Sequence, residues 1–181
     1  MTIECIGIIG AGAMGHGITQ IAAQNGFKVC LSDVSEEVVK KGIGKIEKSW
    51  GRLVEKGKIS AEDVAKAKEN ITACASVNDL KDCDLIIEAA TENVEIKKKI
   101  FVQINEVAKK EAIIASNTSS ISITLLAAAS GRPAKFVGMH FFNPVPVMKL
   151  VEVIRGLQTS DEAYQAVIGA AEKMGKVPAA V

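Results

Sequence analysis

Ile6-Gly7-Ile8-Ile9-Gly10-Ala11-Gly12-Ala13-Met14-Gly15 is the stretch on which the fold turns. A strand-like apolar run from Ile3 to Ile9 leads directly into three glycines spaced GxGxxG, and a helix-patterned segment continues to about Asn25. A strand that ends in this spacing and opens a helix has the form of a dinucleotide-binding turn. Gly10 would permit the tight turn, Gly12 would let backbone amides approach a pyrophosphate, and Gly15 would let helix and strand pack closely. The helix start adds unpaired N–H groups and the positive end of the dipole. The spacing alone is weak, because a chain with fifteen glycines offers chance matches and ordinary tight turns. Asp33 strengthens it. It ends a second strand-like run, Phe27 to Ser32, at about the 20-residue offset expected of an acid that accepts from both adenosine ribose hydroxyls. Its charge would repel a 2′-phosphate, which favours NAD over NADP. The plainer reading of Asp33 is a helix cap within Ser32-Asp33-Val34-Ser35-Glu36-Glu37.

Working outward, strand and helix patterns alternate along the rest of the chain. Val34 to Lys56 is long, charged and helical in pattern, although Gly42, Gly44 and Gly51 should weaken it. Ser60, followed by Glu62 and Asp63, reads as a helix start running to about Glu69. Ile71 to Ala75, Leu85 to Glu88, Ala112 to Ser116, Phe136 to His140 and Lys149 to Ile154 read as short strands. Helices are expected at Val94 to Lys110, Ile121 to Ser130 and Asp161 to Met174. Strands alternating with helices predict an α/β, Rossmann-like, doubly wound and mostly parallel sheet, with a long helical excursion after the second strand.

Composition agrees and excludes several classes. The 181 residues suffice for one domain with a real core. Charged residues at 24% with a net charge of +1 argue against a disordered tail or a basic nucleic-acid binder. Apolar runs such as Leu125 to Ala129 fall far short of the ~20 residues that span a bilayer. Met1-Thr2-Ile3-Glu4-Cys5 has no basic region followed by a hydrophobic stretch, so a cytoplasmic protein is expected. Cys5, Cys30, Cys74 and Cys83 lack CxxC spacing. They read first as buried, reduced core residues and second as a metal site, and no metal is expected.

The second informative stretch is Gly138-Met139-His140-Phe141-Phe142-Asn143-Pro144, followed by Met148-Lys149-Leu150-Val151-Glu152. Of the two histidines, His16 follows the glycine turn, where packing or solvent exposure is the simpler role. His140 ends a predicted strand, at the edge where parallel sheets build their sites. A lone histidine there is as readily structural as catalytic. Glu152 on the next strand would hold the imidazole in one tautomer and stabilise its protonated form, which is a recipe for a general base.

Together, the glycine turn, Asn117-Thr118-Ser119-Ser120, and the His140–Pro144 run with Leu150-Val151-Glu152 resemble the L-3-hydroxyacyl-CoA dehydrogenases. The likeness is nearest to the bacterial 3-hydroxybutyryl-CoA branch of butyrate metabolism and covers Ile3 to about Val177. It implies catalysis by His140 and Glu152, and a substrate- and cofactor-contacting Ser119. It also implies NAD contacts at Glu92, Lys97 and Asn143, with Asn117 in the same loop, and coenzyme A contacts at Ser49 and Lys56. Without the resemblance, Glu92 and Lys97 read as ordinary charges at a helix start. Ser49 and Lys56, seven residues apart, share one helix face that also reads as plainly solvated.

The activity implied is interconversion of a 3-hydroxyacyl-CoA and a 3-oxoacyl-CoA with NAD(H). Two other readings stay open: a nucleotide-binding module without catalysis, and the dehydrogenase section of a multifunctional β-oxidation enzyme. Residues 1–181 correspond to the NAD-binding domain of the family. Its members continue into a helical domain that completes the cleft, supplies an active-site asparagine and forms the homo-oligomer. That domain lies outside this sequence.

Overall fold

A computed structural model describes residues 1–181. Its strands are β1 (Cys5–Ile9), β2 (Lys28–Ser32), β3 (Ile71–Cys74), β4 (Leu85–Glu88), β5 (Ile113–Ser116), β6 (Phe136–Phe141), β7 (Leu150–Arg155) and β8 (Val177–Ala180). Its helices are α1 (Ala13–Gln24), α2 (Glu36–Glu55), α3 (Ala61–Glu69), α4 (Val94–Val107), α5 (Ile123–Ala129) and α6 (Asp161–Lys173). Short 3₁₀ turns occur at Val77–Leu80 and Pro133–Lys135. The eight strands form one sheet in the order β3-β2-β1-β4-β5-β6-β7-β8. All pairings are parallel except β6 with β7. The doubly wound, mostly parallel sheet expected from the alternation is therefore the fold. No helix is long and apolar enough to cross a membrane.

The apolar runs of the sequence are continuous because both sheet faces are buried. Ile6, Ile8, Leu31, Leu85 and Ile87 belong to the larger core cluster, with α1, Trp50 of α2 and α6. Ile9, Ile86 and Ile114 face the other way, into a smaller cluster with Phe101 and Ile104 of α4 and Leu126 of α5. Serine and asparagine side chains decide where five of the helices start. Ser35, Ser60, Asn93, Ser122 and Ser160 each accept a backbone N–H from the first turn that follows. The exception is α1, whose N-cap is Gly12 and whose first turn holds no acid and no side-chain cap.

Three elements differ from the sequence reading. First, α2 runs unbroken through its glycines. Gly42 is required there, since a Cβ at that position would lie 2.9 Å from the carbonyl oxygen of Ala11. Second, α4 stops at Val107 rather than Lys110, because Ala108 has extended backbone angles. The third difference is β8. Val177-Pro178-Ala179-Ala180 has little strand character of its own and forms by pairing with β7 at the sheet edge, where proline is tolerated.

Candidate functional site

The strand order reverses between β1 and β4, and the loops that diverge there frame a crevice at the carboxyl ends of the parallel strands. The glycine turn forms its floor. Gly10 has φ +105°, its N–H donates to Ser32 O at 2.8 Å, and a Cβ there would meet the Ala89 carbonyl oxygen at 2.6 Å. A Cβ at Gly15 would sit 1.6 Å from the Gly10 carbonyl oxygen, so α1 and β1 approach only because that residue is glycine. Gly12 is different: nothing lies within 4 Å of its missing Cβ. The open space at Gly12 and the uncapped start of α1 coincide. That is what a pyrophosphate requires: room, free amides and a dipole end of the right sign.

Asp33 stands at the end of β2 beside this turn. Its Oδ2 accepts from the Ala11 amide at 2.6 Å and its Oδ1 from Val34 at 2.6 Å. Each oxygen keeps a second lone pair for ribose hydroxyls. A groove of about 510 Å³ adjoins it, lined by Ile9, Asp33, Val34, Val77 and Ile100 among others. Its mostly apolar walls suit an adenine ring. Turn, helix start, carboxylate and groove together fit an NAD molecule.

The His140–Glu152 pair is built by the antiparallel β6–β7 ladder, in which the two residues are direct register partners. His140 Nδ1 donates to Glu152 Oε2 at 2.8 Å, and the histidine side chain is 18% exposed against 35% for the glutamate. With Nδ1 committed to a carboxylate, Nε2 is left as the acceptor. Phe142 lies against the imidazole at a ring separation of 4.6 Å. Loops from two other strands brace this edge. Asn117 Oδ1, just past β5, accepts from the Phe141 amide at 2.8 Å. Lys176 donates to the carbonyl oxygens of Val145 and Met148 and so fastens the loop that carries Asn143. Burial pushes the Lys176 ammonium below the usual lysine range.

Ser119 and Asn143 are exposed at the same edge. Glu92 is exposed too and accepts from Thr118 Oγ1 at 2.8 Å, tying the loop after β4 to the loop after β5. Lys97 corrects the reading of it as a surface charge. It is 1% exposed, ion-paired with the fully buried Glu88 carboxylate, and 3.4 Å from Ser116 Oγ. Glu88 also accepts from the amides of Ala90 and Thr91, so this triad shapes the backbone beside the glycine turn. Sequence reasoning missed Glu88 and Lys176. A glutamate ending an apolar strand, with a lysine on the next helix, was the available signal for the first.

Ser49 is half-buried, its Oγ accepting from Gln20 Nε2 at 2.9 Å, and Lys56 is exposed just past the end of α2. His16 is half-buried with no partner for Nδ1, and burial lowers its pKa despite backbone hydrogen bonding.

Residues 5–181 match the family model described as 3-hydroxyacyl-CoA dehydrogenase, NAD binding domain. A Deinococcus radiodurans protein named "Probable 3-hydroxybutyryl-CoA dehydrogenase" is 54% identical over 173 residues, covering 95% of this chain and 62% of that one. The 3-hydroxybutyryl-CoA dehydrogenase of Bradyrhizobium diazoefficiens is 49% identical over 96% of this chain and 59% of its own length. In three dimensions, the (S)-3-hydroxybutyryl-CoA dehydrogenase of Ralstonia eutropha superposes with a TM-score of 0.98 at 50% identity, covering 99% of this chain and 64% of that one. The chain thus spans about three fifths of the length of these two curated relatives.

Proposed function

The chain belongs to the 3-hydroxyacyl-CoA dehydrogenase family as an NAD-binding domain, and from that premise we propose that it carries the reacting groups of an enzyme interconverting (S)-3-hydroxybutanoyl-CoA and acetoacetyl-CoA. The observation that carries this reading is the His140–Glu152 pair, held at 2.8 Å on the sheet edge that also bears the cofactor cradle. NAD(H), when bound, supplies the two-electron acceptor or donor. Gly12 leaves room for its phosphates, Gly10 and Gly15 allow the turn and the close helix–strand approach that present them to the α1 amides, and Asp33 accepts from its ribose.

In the oxidative direction His140 Nε2 takes the proton of the substrate 3-hydroxyl. The imidazolium so formed faces the Glu152 carboxylate, which fixes its orientation and offsets its charge. The exposed Ser119 hydroxyl donates to the reacting oxygen, so charge developing there meets a placed donor. In the reductive direction protonated His140 returns its proton to the 3-oxo group. Lys56 offers a point charge to a coenzyme A phosphate. Ser49 keeps its hydroxyl hydrogen for the same ligand, since Gln20 uses only an acceptor site.

The test follows the loss of NADH absorbance with acetoacetyl-CoA, both for this chain and for a version extended by the family's helical domain. Wild type is expected to turn over in the extended form. His140→Gln should lower turnover by about 10²–10⁴-fold, with NADH affinity unchanged by fluorescence titration. Undiminished turnover in His140→Gln refutes the assignment. NADH binding without turnover in either wild-type form would leave a non-catalytic cofactor module as the reading.

A further inference from the structure

The four cysteines come from four separate segments: Cys5 opens β1, Cys30 is central in β2, Cys74 ends β3, and Cys83 lies in the turn before β4. Register brings them to one side. Cys30 pairs with Gly7 on β1 and with Thr72 on β3. Because side chains alternate along a strand, Cys5, Cys30 and Cys74 all point to the same sheet face. Cys74 and Cys83 belong to the smaller core cluster, with Cys5 and Cys30 packed against it. Gly7 makes the space, since a Cβ there would lie 3.2 Å from the Cys83 sulfur. The Cys5 and Cys83 sulfurs are 3.5 Å apart, and those of Cys5, Cys30 and Cys83 all lie within 4.8 Å of one another.

These separations discriminate between the uses of clustered thiols. A disulfide needs its sulfurs about 2.0 Å apart, a closure of roughly 1.5 Å between residues fixed on a strand and a tight turn. A metal–thiolate bond of about 2.3 Å sets the sulfurs of one tetrahedral ion about 3.8 Å apart. The Cys5–Cys83 separation is already close to that edge, and the other two sulfur pairs, within 4.8 Å, reach it by closing at most about 1 Å. Cys5 and Cys30 are half-buried, which leaves an entry path, while Cys74 and Cys83 are buried.

We propose that Cys5, Cys30 and Cys83 form a three-sulfur site for a soft, closed-shell cation of the Zn²⁺, Cd²⁺ or Cu⁺ class, with Cys74 next to Cys30 as an available fourth thiol. The ion replaces thiol protons, and its binding to the folded chain alone ties β1, β2 and the entry to β4 together. The site lies apart from the His140–Glu152 pair and does not depend on the proposed activity.

The chain, reduced and stripped of metal by a chelator, is titrated anaerobically with Cd²⁺ as the probe. A thiolate-to-cadmium ultraviolet absorption should reach its plateau at one equivalent, and X-ray absorption should give three or four sulfur neighbours. Cys5→Ser and Cys83→Ser should each weaken Cd²⁺ by more than about 100-fold, beyond the loss seen for removal of outer-shell partners, with unchanged far-ultraviolet dichroism. Absence of a plateau at one equivalent, a shell with fewer than three sulfurs, or undiminished affinity in both variants overturns the proposal. The X-ray measurement uses wild-type protein, so the test stands even if a variant fails to fold.

Discussion

Alanine substitutions at Gly15 and at Gly12 should separate folding from cofactor binding within one turn. At Gly15 the added methyl carbon would lie 1.6 Å from the Gly10 carbonyl oxygen. Ordinary contact is about twice that distance, so α1 must withdraw from β1 by well over an ångström. Overpacking costs typically ~1–3 kcal/mol, and the upper end applies because the obstruction is backbone rather than a flexible side chain. For a domain of this size about 3 kcal/mol lowers the thermal midpoint by about 6–12 °C. Gly12→Ala should behave in the opposite way. Its φ of −70° is open to alanine, and its methyl would meet nothing within 4 Å. The weaker N-cap costs ~1 kcal/mol or less, so the midpoint should fall by no more than about 4 °C. The same methyl would occupy the space assigned to the pyrophosphate, and NADH affinity should fall at least about tenfold, or ~1.4 kcal/mol. Calorimetry reads the first effect and NADH fluorescence titration the second. A wild-type midpoint in Gly15→Ala would refute the packing argument. Undiminished NADH affinity in Gly12→Ala would refute the cofactor's placement.

Further predictions concern buried charge. Lys97→Met strands the Glu88 carboxylate in the interior and should cost ~3–5 kcal/mol in urea unfolding. Adding Glu88→Gln should recover part of that, and a loss below about 1 kcal/mol would mean the pair is solvated. At Asp84 burial opposes the charged form, but the Lys109 ammonium and the amides of Cys5 and Glu4 outweigh it and hold the carboxyl below its usual range. The sign follows: this stabilisation is complete above the ordinary carboxylate range and is lost as pH falls through the depressed value. Asp84→Asn should therefore lose about 1–3 kcal/mol at neutral pH, with the gap to wild type closing in acid. A gap independent of pH contradicts it.

Much of this was legible because the governing patterns are local. The glycine spacing after an apolar strand, the serines and asparagine that cap helices, and the short apolar runs each act within a few residues of themselves. They place Asp33 at a strand end and His140 beside a sheet edge without knowledge of the rest. Lys97 was not legible: a lysine on the first turns of a charged helix reads as solvated, and only β4 and β5 bring Glu88 and Ser116 beneath it. β8 was missed because its residues have little strand preference, and the β7 ladder supplies what they lack. Lys176 was equally hidden, since its acceptors are carbonyls of a loop about thirty residues earlier.

By itself the sequence determined the α/β alternation, and it singled out the glycine turn, its acid, the histidine and the glutamate as candidates. Periodicity, φ preference and residue chemistry are properties of short stretches. Tertiary structure alone decided that β7 runs antiparallel and so sets Glu152 opposite His140, that Glu88 and Lys97 neutralise each other out of water, and that four scattered cysteines share one face. Strand order and register are settled by which faces can be buried together, and that is a property of the whole sheet.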